Sequence, residues 1–180
     1  MIRALLLSLF AFLLSSLATA AEETPQQVVE QYHRDYLGNG WVALSKYLHP
    51  EELARAQQAF LAGIPDNDTS RRSLAELYGS DVTLAKLREA TPEQFVHPIL
   101  VAMQASLERA NLKVTDLQIL GTVEEGELRH VVYRWRSETP QLKMSQVEVR
   151  TLRQYRGAWR LLLPMNLQTS LSSVQQGVRR

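Results

Sequence analysis

From Thr24 to Asn111 the apolar residues recur every three or four positions, and from Val114 to Leu163 they alternate. The first spacing is that of a helix with one buried stripe, the second that of a strand with one buried face. A chain that changes period once, near its middle, is confined to helices followed by a sheet, and the two must cover each other's apolar sides. This predicts an α+β domain with its N-terminal helices packed on the concave face of a curved four-stranded antiparallel sheet.

The helical half carries its own boundaries. Thr24-Pro25-Gln26-Gln27 is a start signal: a Thr cap, Pro at the first helical position and Gln three after the cap. Val28, Val29, Tyr32 and Tyr36 follow at helical spacing, and Gly38-Asn39-Gly40 ends the helix. A short helix is expected over Trp41 to Tyr47, and another opens at His49-Pro50-Glu51-Glu52. Gly63 to Asp68 is a loop, short helices are expected over about 70–78 and 81–89, and Thr91-Pro92-Glu93-Gln94 repeats the start signal. Asn111 is the expected left-handed stop.

The alternating half divides into strands at Val114–Val123, Leu128–Arg136, Met144–Tyr155 and Ala158–Leu163, with turns at 124–127 and at Arg156-Gly157. Links this short make neighbours antiparallel. Hydropathy puts Val131, Tyr133 and Trp135 on the inner face, with Val147, Val149, Trp159, Leu161 and Leu163. It leaves Arg134, Arg136, Glu148, Arg150 and Arg160 on a wet outer face.

The chain has no cysteine, which excludes disulfides, thiolate metal sites and thiol nucleophiles. Arg3, the apolar run Leu5 to Leu14 and Ala18-Thr19-Ala20 match the three regions of a secretory signal, with cleavage expected between Ala20 and Ala21. The expected organisation is therefore a signal at 1–20, one domain over 21–169 and a polar basic tail over 170–180, working outside the cytoplasm as a periplasmic or secreted protein. The 20 basic and 19 acidic residues nearly balance, but the acids gather before residue 112 and the arginines after it. That gradient is compatible with solvated faces or with a docking surface for an anionic partner, Arg134, Arg136, Arg150 and Arg160 being the candidates.

The layout resembles the NTF2-like (cystatin-like, cone-shaped α+β) superfamily. The resemblance rests on a helix ended by Gly38-Asn39-Gly40 and followed by Trp41-Val42-Ala43-Leu44, and on Val147 to Arg153 with Gly157 to Leu162 as a last hairpin. Leu120 to Val123 with His130 to Tyr133 is similar to stretches of uncharacterised exported members. The helical stretch 66–110 is longer than the family carries there. The resemblance implies a pocket between the first helix and the inner sheet face; since the superfamily holds isomerases, dehydratases, transport factors and binding modules, it does not choose a function.

The pocket candidates are Tyr32, Tyr36, Tyr133, Trp135 and Trp159. Residues of this kind more often fill a core, and line a pocket only where the cone is incompletely filled. Proton-transfer chemistry needs a carboxylate or His inside the pocket. The alternation puts none on the inner sheet face, and Asp35 on the first helix cannot point where Tyr32 and Tyr36 both point. His33, His49, His97 and His130 have no metal-ligand spacing, and no phosphate loop or nucleophile motif occurs. The expectation is a non-enzymatic module of the cell envelope without metal or cofactor, binding a small apolar ligand or an envelope protein and not nucleic acid. The alternatives are an isomerase or hydro-lyase, or a structural protein that forms a homodimer through its sheet.

Overall fold

The computed structural model describes residues 23–179. The signal segment expected at 1–20 lies outside the described residues.

Helix α1 spans Pro25–Asn39 and begins as its sequence dictates: Gln27 N–H donates to Thr24 Oγ1 (3.3 Å) and Thr24 N–H donates to Gln27 Oε1 (2.8 Å). It buries Val28, Val29 and Tyr32 and stops at Gly40, whose φ of 61° admits little but glycine. A 3-10 segment, Gly40–Tyr47, tucks Trp41, Leu44 and Tyr47 into the core. Then come α2 (Pro50–Ala62), α3 (Asp68–Tyr78), α4 (Leu84–Glu89) and α5 (Pro92–Arg109), the last opened by a second reciprocal Thr–Gln cap at Thr91 and Gln94. Phe95, Val96, Ile99 and Leu100 of α5 are buried at the centre of the helical layer.

Strands β1 (Lys113–Glu125), β2 (Leu128–Glu138), β3 (Lys143–Tyr155) and β4 (Ala158–Leu161) form one antiparallel sheet in the order β1-β2-β3-β4. Both tight hairpins use left-handed backbone, Gly126 (φ 54°) in the first and Arg156 (φ 51°) with Gly157 (φ 79°) in the last. The first turn is narrower than the expected 124–127, because Glu124 and Glu125 are still paired in the ladder. β4 is shorter than expected and ends at Leu161, where the chain also takes a parallel bridge from Leu48.

The 170–180 stretch, expected as a polar tail, belongs up to Arg179 to a further helix, α6 (Met165–Arg179). Leu167, Leu171 and Val178 are buried on its inner side. Gln175 Nε2 donates to the carbonyls of Ala59 and Phe60 (3.1 and 2.7 Å), and Ser70 Oγ donates to the carbonyl of Val178 (3.2 Å). These bonds tie α6 to the last turn of α2 and to α3.

The phase of β3 is opposite to the one hydropathy suggests. Cross-strand partners share a face, and the register pairs buried Val131 with Arg150 and buried Tyr133 with Glu148. Glu148, Arg150 and Leu152 therefore look inward, while Val147 and Val149 stand outside, 56% and 51% exposed. The cause is the last hairpin. Its two-residue turn pairs Leu152 with Leu161, both fully buried, and a period of two carries that parity back to Arg150 and Glu148. Arg150 is thus not an outer-face residue, and the inner face does hold a carboxylate.

Candidate functional site

The helices do not fill the inner sheet face completely. Between α1, the C-terminal end of α5 and strands β1 to β3 lies a cavity of about 120 Å³. Tyr32, His33 and Tyr36 line it from α1, Trp41 from the 3-10 segment, Leu107 from α5, and Tyr133, Trp135, Glu148 and Arg150 from the sheet. An apolar cavity of about 150 Å³ holds one benzene molecule, which sets the scale of what fits.

Glu148 organises the polar side of this cavity. Tyr133 Oη donates to its Oε2 (2.7 Å) and Trp135 Nε1 donates to its Oε1 (2.8 Å). The Arg150 guanidinium lies 3.6 Å from Oε2 and packs over the Tyr133 ring at 5.6 Å from its centroid. Both carboxylate oxygens are engaged. Arg150 is less well served: its distance to Glu148 is too long for a hydrogen bond, and its Nε is buried without a partner among the described residues. Burial pushes the Tyr32 hydroxyl well above the usual phenol range, with the nearby Arg150 charge opposing. Tyr133 is raised mainly by burial too, and the hydrogen bond to Glu148 adds to this. Both phenols accordingly stay protonated at any working pH.

The apolar side is a chain of edge-on aromatic contacts, Tyr32 to Tyr36 at 6.0 Å and Tyr36 to Trp41 at 5.7 Å between centroids. His33 stacks on Tyr36 at 6.4 Å, and its Nε2 is buried without a partner among the described residues. Burial lowers the His33 pKa against the opposing pull of Asp116, so the ring is neutral at pH 7.

Four of the five aromatic candidates, Tyr32, Tyr36, Tyr133 and Trp135, meet at this cavity. Trp159 does not line it; Arg129 packs over its ring at 5.4 Å, further along the inner face. Asp35 is turned away from the cavity, where Tyr47 Oη donates to it (2.5 Å) and Lys46 pairs with it. Hydrogen bonds from Lys46 and then Tyr47 hold its carboxyl below the usual range. Of the arginine candidates, Arg136 on the outer face pairs with Asp116 (2.7 Å), Arg134 reaches Gln118 (3.4 Å) and Arg160 donates to the carbonyl of Trp159 (3.3 Å). Among the described residues no three His, Cys, Asp or Glu side chains gather where they could hold a metal ion.

No protein-family model matches this chain, and no curated protein matches it in sequence. Among solved structures it is similar to the solution structure of a SEC-C motif containing protein from Rhodopseudomonas palustris, at 16% identity and a TM-score of 0.43, over 81% of this chain and 80% of that one.

Hydropathy alone misses Glu148 and misplaces Arg150. His33 carries no motif that singles it out, and the Trp41-Val42-Ala43-Leu44 stretch gives no sign that Trp41 lines a pocket. A signal for the first two is nonetheless present in the sequence: counting back from the Arg156-Gly157 turn puts Glu148 and Arg150 on the same face as Leu152.

Proposed function

We propose that this protein is a small-molecule binding module of the NTF2-like kind, exported through its first twenty residues and working in the cell envelope without catalysing a reaction. The observation that carries the reading is the cavity between α1 and the inner sheet face, lined by aromatic and leucine side chains with one organised polar cluster at its side. That combination of apolar walls and few fixed polar groups is the make-up of small-molecule sites in general. Native mass spectrometry of the protein isolated from its own extracytoplasmic fraction tests it. The expected spectrum shows a chain beginning at Ala21 and a retained small-molecule adduct. A chain beginning at Met1 removes the export part, and a protein that takes up no small molecule in any preparation removes the binding part.

Glu148 favours the isomerase or hydro-lyase alternative, since it supplies an inward carboxylate. Against it stands the engagement of both Glu148 oxygens by Tyr133 and Trp135, which leaves the carboxylate positioned as an acceptor rather than as a free base. Assembly through the sheet is favoured by a different observation, the exposure of Val123, Val147 and Val149. Sedimentation velocity separates that reading, because a dimer that disperses on Val147→Lys would support it.

A further inference from the structure

We infer that the cavity selects an uncharged ligand carrying a single carbonyl oxygen, which accepts a hydrogen bond from the Arg150 guanidinium while its apolar body lies among Tyr36, Trp41 and Leu107. This inference rests on the binding reading above.

The charge balance of the cavity comes first. Glu148 and Arg150 carry opposite charges 3.6 Å apart, so the polar side is neutral as a whole. His33 is neutral at pH 7. A carboxylate ligand seated at Arg150 would meet Glu148 at a similar distance. At similar distances and in the same surroundings those two interactions are similar in size and opposite in sign, so they largely cancel. What remains is the cost of taking the ligand's own charge out of water into a largely apolar space. An ammonium ligand faces the same cancellation with the signs reversed. Neither ion gains enough to offset its lost hydration. Glu148 cannot swing away to relieve an anion, because Tyr133 and Trp135 hold both of its oxygens.

The hydrogen-bond balance comes next. An arginine presents five N–H donors. Arg150, with its side chain 11% exposed, makes no hydrogen bond to Glu148, and its Nε has no partner among the described residues; the buried Tyr32 hydroxyl is hydrogen-bonded to it, which takes up one of the five donors. Glu148 by contrast has a donor at each oxygen. The polar side around Arg150 therefore offers donors rather than acceptors. A carbonyl oxygen suits it without bringing a charge, whereas an alkane leaves it unmet and an aliphatic ammonium, which only donates, cannot bond to Arg150.

The space of about 120 Å³ encloses a body close to a benzene ring, so the group it takes in is compact, as in a small ketone, amide or ester.

The test uses the chain from Ala21 onward, which contains every described element, and four probes of one size: acetophenone, ethylbenzene, benzoate and benzylammonium. Binding is followed by heteronuclear NMR through the indole signals of Trp41 and Trp135. Acetophenone is expected to bind at least tenfold more tightly than ethylbenzene, and both ions more weakly than acetophenone. In Arg150→Met the advantage of acetophenone over ethylbenzene should disappear while ethylbenzene still binds. Should that variant not fold, the four-probe order on the unaltered protein decides alone. Benzoate or benzylammonium binding more tightly than acetophenone would overturn the inference and leave the binding reading standing, as would equal affinity for acetophenone and ethylbenzene. Indole signals that none of the four probes moves, up to their solubility, would overturn both.

Discussion

Removing the Glu148 carboxylate tests the most consequential feature of the sheet, the inward phase of β3. In Glu148→Ala the Tyr133 hydroxyl and the Trp135 indole N–H lose their acceptor, and Arg150 loses its nearest opposite charge. Leaving a buried donor unsatisfied costs about 1–3 kcal/mol, and Tyr133 is only 4% exposed. Trp135 and Glu148 are half-buried, so water replaces part of what they lose, and a loose, partly solvated ion pair is worth little. The net expectation is a loss of about 2–3 kcal/mol for Glu148→Ala and about 1 kcal/mol for Tyr133→Phe. In the double variant the two losses should fall short of additive by roughly 1 kcal/mol, because the bond at 2.7 Å can be broken only once. Urea unfolding followed by tryptophan fluorescence reads these values, with unchanged m-values as the check on two-state behaviour. Val147→Asp, one position away on the outer face, should cost within about 0.5 kcal/mol. The reasoning fails if the ranking inverts, with Val147→Asp unfolding the protein and Glu148→Ala leaving it untouched, since that is the result expected when the valines are core.

Gly40→Ala should destabilise by about 2 kcal/mol, because its φ of 61° and ψ of −148° strain any residue with a Cβ. The new Cβ would also sit 2.0 Å from Gln104 Oε1, the acceptor for Trp41 N–H; Gln104→Ala in the same chain should relieve the clash and leave the strain, read by thermal midpoint. Ending the chain after Thr169 should cost roughly 3–5 kcal/mol by exposing what Leu171 and Val178 cover, against no measurable change if those residues merely trail in solvent. Stability should also decline below neutral pH. Burial, with help from the Arg153 charge, lowers the pKa of His49 beneath its ordinary 6.5, so the unfolded chain binds the proton first. This contribution is complete above about pH 7, falls as pH drops below the unfolded value, and levels off once pH passes below the folded one. Urea midpoints measured from about pH 7.5 down to about pH 5 should show that slope, and His49→Gln should flatten it. His33, shifted the same way, keeps the residual slope from reaching zero.

The fold is legible where one local cause decides the structure. The two Thr–Gln caps, the stop at Gly40, the left-handed Asn111 and the turn at Arg156-Gly157 each act within four residues, and each sits where its chemistry requires. Helix α6 departs from the expected tail, because its serines and glutamines give the segment a tail's composition and mask its spacing. Leu167, Leu171, Val174 and Val178 recur at helical spacing, and burial follows that spacing rather than average polarity. The cavity is a different kind of object. Which aromatic residues border a gap depends on whether helices from distant parts of the chain meet completely, and no local pattern encodes that. Tyr133 and Trp159 look alike in an alternating strand, yet only the first borders the space.

The phase of β3 has a physical meaning of its own. Val147 and Val149 facing inward would have suited a core, and the strand instead turns a carboxylate and a guanidinium inward and leaves two valines in water. An ion pair half-buried at 3.6 Å stabilises less than well-packed apolar residues of the same volume. The arrangement also leaves Arg150 Nε without a partner among the described residues, a further cost that packing alone would avoid. Sequences that specify one structure agree with their own patterns nearly everywhere, and disagreements concentrate where a site requires them. Here the clearest disagreement in the sheet falls on the two residues that make the polar side of the cavity. If the pair costs the fold stability, combining Glu148→Leu and Arg150→Met with Tyr133→Phe, so that no buried hydroxyl is left without its acceptor, should raise the urea midpoint while abolishing the preference for acetophenone. A triple variant that is both more stable and indifferent to the carbonyl would show that the pair is kept for the ligand and not for the fold; a triple variant less stable than the unaltered protein would show the reverse.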